Sequence, residues 1–122
     1  MEAATFEEIK TKEDFDRVVK TTTFKPLLVQ FTAVWCRRCS TLKAEINEAF
    51  DSDAFRWVVV DVDQVEVLRE IFNVNSLPRL DLHSAGIRTE LDGFEATIPK
   101  LREAIEVGKQ KEDRVFCMDE EF

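Results

Sequence analysis

Two cysteines three residues apart, in the pentapeptide Trp35-Cys36-Arg37-Arg38-Cys39, are the part of this chain best equipped for chemistry. A thiolate is a nucleophile, and two thiols at this spacing in the first turn of a helix can close a disulfide on each other. A thiolate with a partner within reach is a device for exchanging disulfides. The same spacing also makes half of a structural zinc site, which needs two more ligands. The other candidates for those are His83 and Cys117. His83 alternates with Leu82 on a strand and reads as a surface or satisfied histidine, and Cys117 as a bystander thiol near the C-terminus. Three cysteines make no disulfide framework, and a CxxC near a strand–helix–strand pattern reads as a redox pair. Arg37 and Arg38, lying between the two cysteines, must act on a thiolate electrostatically.

The flanking residues predict how such a pair is held. Leu27-Leu28-Val29-Gln30-Phe31 is an apolar run that predicts a buried strand from about Leu27 to Ala33. Leu42, Ile46, Ala49 and Phe50 follow at helical spacing, so Cys36 sits where a strand passes into a helix N-terminus. Free backbone N–H groups and the positive end of the helix dipole favour a thiolate there. Such surroundings bring a cysteine pKa from about 8.5 to roughly 3.5–7.5.

The other elements are legible by the same rules. Phe6 and Ile9 supply a short first strand, and Thr11-Lys12-Glu13-Asp14 resembles a capping box for a helix with Phe15, Val18 and Val19 on one face. The β-branched run Trp57-Val58-Val59-Val60-Asp61-Val62 suits a central parallel strand, and Asp63 is placed to cap a helix through Phe72. Leu80 and Leu82 alternate with Asp81 and His83, a turn falls at Ala85-Gly86, and Ile87 to Leu91 completes a hairpin. Thr97-Ile98-Pro99 opens a last helix with Leu101, Ala104 and Ile105 inward, and Gly108 is expected to end it. The division expected is a domain over residues 1–108 and a charged, flexible C-terminal tail over 109–122.

Composition sets the bounds. The 122 residues suit one domain with a real core, at 44% hydrophobic and 34% charged residues. No apolar stretch comes near the roughly 20 residues of a membrane span, and the acidic N-terminus has no secretory-signal pattern. An intracellular, cytoplasmic location is expected, with an organelle such as a plastid left open because a removed transit peptide leaves no trace. The net charge of −8 argues against nucleic-acid partners, but it is unevenly spread. Between Arg17 and Ala44 lie six basic residues (Arg17, Lys20, Lys25, Arg37, Arg38, Lys43) and no acid, against 11 basic and 25 acidic residues elsewhere. The cysteines lie in the one basic island of an acidic chain.

The order β-α-β-α-β-α-β-β-α with a CxxC after the second strand resembles the thioredoxin family. The resemblance covers about residues 5 to 107 and rests on Trp35-Cys36-x-x-Cys39, Asp61 and Asp63, Leu77-Pro78, Gly86 and Gly93. The Cys-Arg-Arg-Cys loop looks most like the Trp-Cys-Arg-Lys-Cys of plastid thioredoxin-like proteins. The resemblance implies an α/β thioredoxin fold, a central mixed sheet flanked by helices. It also implies a cis peptide bond before Pro78, facing the cysteines, and a partner chain held by Trp35, Leu77, Pro78, Arg79 and Gly93, with Trp35 in addition shielding the disulfide.

Several positions depart from the pattern. The buried aspartate six residues before the first cysteine is Gln30, which cannot take up a proton near neutral pH. Its lysine neighbour corresponds to Val59, the helix-kinking proline to Ala44, and the common threonine after the cis-proline to Arg79. These bear on general thioredoxin activity and on acceptance by a thioredoxin reductase, and not on the thiol chemistry.

The function expected is a protein thiol–disulfide oxidoreductase with Cys36 as nucleophile and Cys39 as resolving thiol, more oxidising and more partner-selective than ordinary thioredoxin. No cofactor or metal is expected. Partners would be disulfide-containing proteins with acidic flanks, the electron donor a reductase or glutathione, and the active form a monomer. Two other classes remain at this point. One is a thioredoxin-fold interaction module with incidental cysteines, and the other a metal- or cluster-binding dimer joined through the CxxC loops.

Overall fold

The computed structural model describes residues 2–22, 25–92 and 97–120, those from 110 on as backbone alone. The elements follow the order β1 (Phe6–Ile9), α1 (Lys12–Thr21), β2 (Leu27–Thr32), α2 (Arg37–Ala49), β3 (Arg56–Asp61), α3 (Glu66–Ile71), β4 (Arg79–Ser84), β5 (Ile87–Leu91) and α4 (Thr97–Glu120). The five strands form one sheet in the order β1-β3-β2-β4-β5. β1 and β2 run parallel to β3, while β4 is antiparallel to β2 and β5 to β4. All six residues of β2 are buried, as its unbroken apolar run requires at the middle of a sheet covered on both faces.

Strand alternation divides the core in two. Val29, Phe31, Val58 and Val60 face α1 and α3, meeting Phe15, Val18 and Leu68. Leu28, Trp57, Val59, Leu80 and Leu82 face α2 and α4, meeting Leu42, Ile46, Leu101 and Ile105. Leu42 and Ile46 are fully buried and one turn apart, so they fix how α2 lies on the sheet. Truncating either to alanine costs about 2–5 kcal/mol.

Three local expectations are corrected. Val19 is 47% exposed, because the buried stripe of α1 is only Phe15 and Val18 wide. α3 begins at Glu66 after Val65 with no side-chain cap, and Asp63 has a different partner, described below. Gly108 does not end α4, which runs to Glu120. Its lack of a side chain serves packing instead: a Cβ there would come within 2.1 Å of Ser84 Oγ and 2.8 Å of Ser84 Cβ. A glycine inside a helix costs about 1 kcal/mol relative to alanine, and here it lets α4 approach β4.

The hairpin turn Ala85-Gly86 has positive φ at both residues, 52° and 79°, the two-residue turn whose twist matches the flanking strands. At the other end of the sheet, Phe31 pairs with Arg79. The start of β4 therefore lies beside the end of β2, from which the cysteine loop springs.

Candidate functional site

Cys36 occupies the N-cap of α2, the position whose side chain answers the unpaired N–H groups of the first turn. Its Sγ accepts a hydrogen bond from the backbone N–H of Cys39 at 3.2 Å. Its own N–H donates to Ala33 O at 3.0 Å, which closes the turn out of β2. Cys36 and Cys39 are joined in a disulfide with Cα atoms 5.4 Å apart. The two cysteines differ in access: Cys36 is 7% exposed and Cys39 0%. Cys39 is thus enclosed by the fold, and Cys36 is the member of the pair that reaches the surface.

Apolar surface surrounds the entrance. Val34 is 90% exposed and Trp35 65% exposed, and the Trp35 indole N–H donates to Asp63 Oδ2 at 2.9 Å. Asp61 Oδ1 in turn accepts from the backbone N–H groups of Asp63 and Gln64, so the turn after β3 holds the carboxylate that holds Trp35. Across the sheet, the Leu77–Pro78 peptide is cis, Pro78 is buried and Leu77 half-buried. Gly93 lies outside the described residues.

The charges are arranged less simply than their number suggests. Arg37 is exposed and, among the described residues, has no acidic partner. Arg38 turns back along α2 to form an ion pair with Glu45, two turns on. Arg79 is 9% exposed, and its guanidinium points into the fold instead of toward a partner. It lies over the Phe31 ring and pairs with Asp81 and Glu90. Glu45, Asp81 and Glu90 were missed as parts of this neighbourhood. The seven-residue spacing from Arg38 along a helix and the two-residue spacing from Arg79 along a strand were the available signals.

Beneath the disulfide lies Gln30, fully buried. Its Nε2 donates to the carbonyl oxygen of Cys39 at 3.2 Å, and its Oε1 accepts from the Trp57 indole N–H at 3.3 Å. An indole N–H only donates and a peptide carbonyl only accepts, so a neutral amide satisfies both where a carboxylate would satisfy one. The neighbour of Gln30 across the parallel pair is Val59, which brings no charge.

His83 lies at the far end of the sheet, paired with Leu27 at the start of β2. Burial pushes its pKa below the ordinary value, with Asp81 opposing and Arg88 reinforcing the shift. Among the described residues, its buried Nε2 has no hydrogen-bond partner. Among the described residues no three His, Cys, Asp or Glu side chains gather as a metal site would need. None of the described helices is long and apolar enough to cross a membrane.

A thioredoxin family profile matches residues 7–106. This chain belongs to the thioredoxin family. Thioredoxin-2 of Pyricularia oryzae is 33% identical to it over 104 residues, spanning 83% of this chain and 58% of that protein. Thioredoxin of Geodia cydonium is 30% identical over 81 residues, 64% of this chain and 74% of that protein. Among solved structures, reduced Schistosoma mansoni thioredoxin pre-protein superposes with a TM-score of 0.69 at 27% identity, over 86% of this chain and 99% of that one. Fasciola hepatica thioredoxin gives 0.71 at 23% identity, over 84% and 98%. The thioredoxin fold, a mixed five-stranded sheet flanked by four helices, is thus common ground.

Proposed function

We propose that this thioredoxin-family protein is a protein thiol–disulfide oxidoreductase. The observation that carries the proposal is the bonded Cys36–Cys39 pair at the N-terminus of α2, with the more exposed cysteine at the N-cap. In the reduced protein, the Cys39 N–H and the helix N-terminus stabilise negative charge on Cys36 Sγ. That thiolate attacks one sulfur of a partner disulfide; an S–S bond forms between the proteins, and the partner's other sulfur leaves as a thiolate. Cys39, having lost its proton, attacks Cys36 Sγ, closes the internal disulfide and releases the partner's second thiolate. Two electrons pass to the partner, and an external dithiol or glutathione restores the reduced pair.

Trp35, Val34 and the Leu77–Pro78 backbone form the docking surface, with Gly93 assigned to it by resemblance alone. Arg37 selects partners with acidic residues beside the disulfide, since it is the arginine there without an acidic partner among the described residues. It also raises the potential of the pair above that of a Gly-Pro loop by stabilising the thiolate.

An insulin turbidity assay with dithiothreitol tests the activity: wild type should speed precipitation and Cys36→Ser should not. Equal rates in the two would remove the reading and leave an interaction module. Trapping with Cys39→Ser then names the partners. Comparing acidic and basic peptide disulfides at low salt tests selectivity, which requires the acidic one to react faster and to lose that lead as salt rises.

A further inference from the structure

A guanidinium brings five N–H donors, and in a buried position each needs an acceptor. Arg79 meets that requirement in full. Nε donates to Asp81 Oδ1 at 2.9 Å, and Nη2 donates to Asp81 Oδ2 and Glu90 Oε1, both at 3.1 Å. Nη1 donates to the backbone oxygens of Phe72 at 2.7 Å and Asn73 at 3.1 Å. Those two carbonyls stand just past the end of α3, where no further helical N–H is available to them. The chain also turns there, through a positive φ of 52° at Asn73. The loop that leaves α3 thus begins against the Arg79 side chain and ends, after Leu77 and Pro78, at the Arg79 backbone. The far side of the guanidinium is anchored by Asp81, which is 0% exposed and binds in two-pronged fashion, and by Glu90 on β5.

We propose that Arg79 is a positioning residue for partner binding: it clasps the Phe72–Pro78 loop against the β4–β5 hairpin so that the Leu77 backbone is held beside the cysteine loop. The partner's role rests on the oxidoreductase reading above; the clasp does not. Lysine cannot replace Arg79, because a point charge with three donors cannot reach two carbonyls, a carboxylate fork and Glu90 together. Removing Arg79 alone would leave the buried Asp81 carboxylate with only the half-exposed Arg88, 3.6 Å away, which is destabilising. The informative variant is therefore Arg79→Met with Asp81→Leu, which removes the buried charge pair together and leaves Glu90 with its Arg88 partner, alongside Arg79→Lys.

Two measurements test the clasp. Amide exchange at Asn73 and Val74, whose N–H groups are bonded to Glu70 O and Arg69 O, reports opening of the loop, with β2 amides as the internal reference. Loss of two backbone hydrogen bonds should speed their exchange about tenfold or more over that reference. Steady-state kinetics should show KM for insulin rising by a similar factor, about tenfold, with kcat far less affected. Reaction with a small aromatic disulfide, which has no chain to dock, should slow much less than kcat/KM for insulin. Wild-type-like exchange at Asn73 and Val74 overturns the clasp, and so does equal loss toward insulin and the small disulfide. Should wild type itself fail to reduce insulin, the oxidoreductase reading falls and the partner-binding half goes with it, while exchange still decides the clasp.

Discussion

Gln30 offers the most direct perturbation of the proposed chemistry. When the mixed disulfide resolves, Cys39 must lose its proton in a site where it is 0% exposed. Gln30 bonds the Cys39 carbonyl and the Trp57 indole but cannot accept that proton. A thiol with the ordinary pKa of about 8.5 is only about 3% thiolate at pH 7, and apolar enclosure lowers that share. Resolution in the wild type should therefore climb about tenfold per pH unit through neutrality. The nearly isosteric Gln30→Glu keeps an acceptor for Trp57 and adds a base. Supplying the missing thiolate gives a gain of about 30-fold at pH 7, somewhat below the roughly 10²–10⁴-fold that a fully developed general base contributes.

The substitution has a stability cost whose sign is fixed. Burial beside Val59, without a cation, raises the carboxyl pKa. The folded pKa then exceeds the unfolded value, so the unfolded state ionises first as pH rises and the variant loses stability between the two. A rise of about three units costs about 4 kcal/mol above the folded pKa. Denaturant melts of Gln30→Glu should therefore look wild-type-like at pH 4 and weaker at pH 8. Stopped-flow resolution of a preformed mixed disulfide, from pH 6 to 9, measures the rate in both proteins. Equal rates at pH 7, with the variant folded, would refute the reasoning and mean that another group handles the proton.

Three further outcomes are expected. A guanidinium about 7 Å from a thiolate, at an effective dielectric of about 40–80, contributes about 0.6–1.2 kcal/mol, or about 13–26 mV of potential. Glutathione titration should show Arg37→Gly lower by that amount and Glu45→Gln higher, because it takes the Glu45 negative charge away from Arg38; no change in either removes the electrostatic account. His83 has its pKa lowered in the fold from 6.5, so as pH falls through 6.5 the unfolded state takes the proton first and stability drops. His83→Gln should flatten the difference in urea midpoint between pH 7 and 5.5, and an identical slope in both proteins would count against it. Gly108→Ala drives a Cβ against Ser84 and should destabilise by about 1–3 kcal/mol despite alanine's helix propensity, with Ser84→Gly restoring stability.

What could be read from the sequence was local in character. The buried strand, the helix after it and the two cysteines between them are set by short-range periodicity, and the structure has them nearly where expected. The hairpin was legible because Ala85-Gly86 is flanked by alternating residues. The misses share a cause: a residue competent for a local task is used for a distant one. Asp63 could cap α3 but holds Trp35, 28 positions away. Gly108 has the chemistry of a helix stop, yet it answers the approach of Ser84. Gln30 was visible as a departure, but its fit between Trp57 and the Cys39 carbonyl depends on two partners that only the fold brings together.

Charge shows the same limit with a functional consequence. Counting residues gives a basic island around the cysteines, with Arg79 added from across the sheet. In the fold, Arg38 is countered by Glu45, Arg79 by Asp81 and Glu90, and Arg17 by Asp14. Lys43 lies over the Phe6 ring, 5.2 Å from its centroid. Acids drawn from outside the island pair with two of its six residues, Arg17 and Arg38, and leave Arg37 as the arginine between the cysteines with no acidic partner among the described residues. One exposed charge in water raises the potential of the pair only modestly. In the exchange proposed above it would act more strongly on which partners approach, because an opposite charge beside a disulfide would meet it before the sulfurs do. Arg37 is accordingly better suited to choosing a substrate than to driving the exchange.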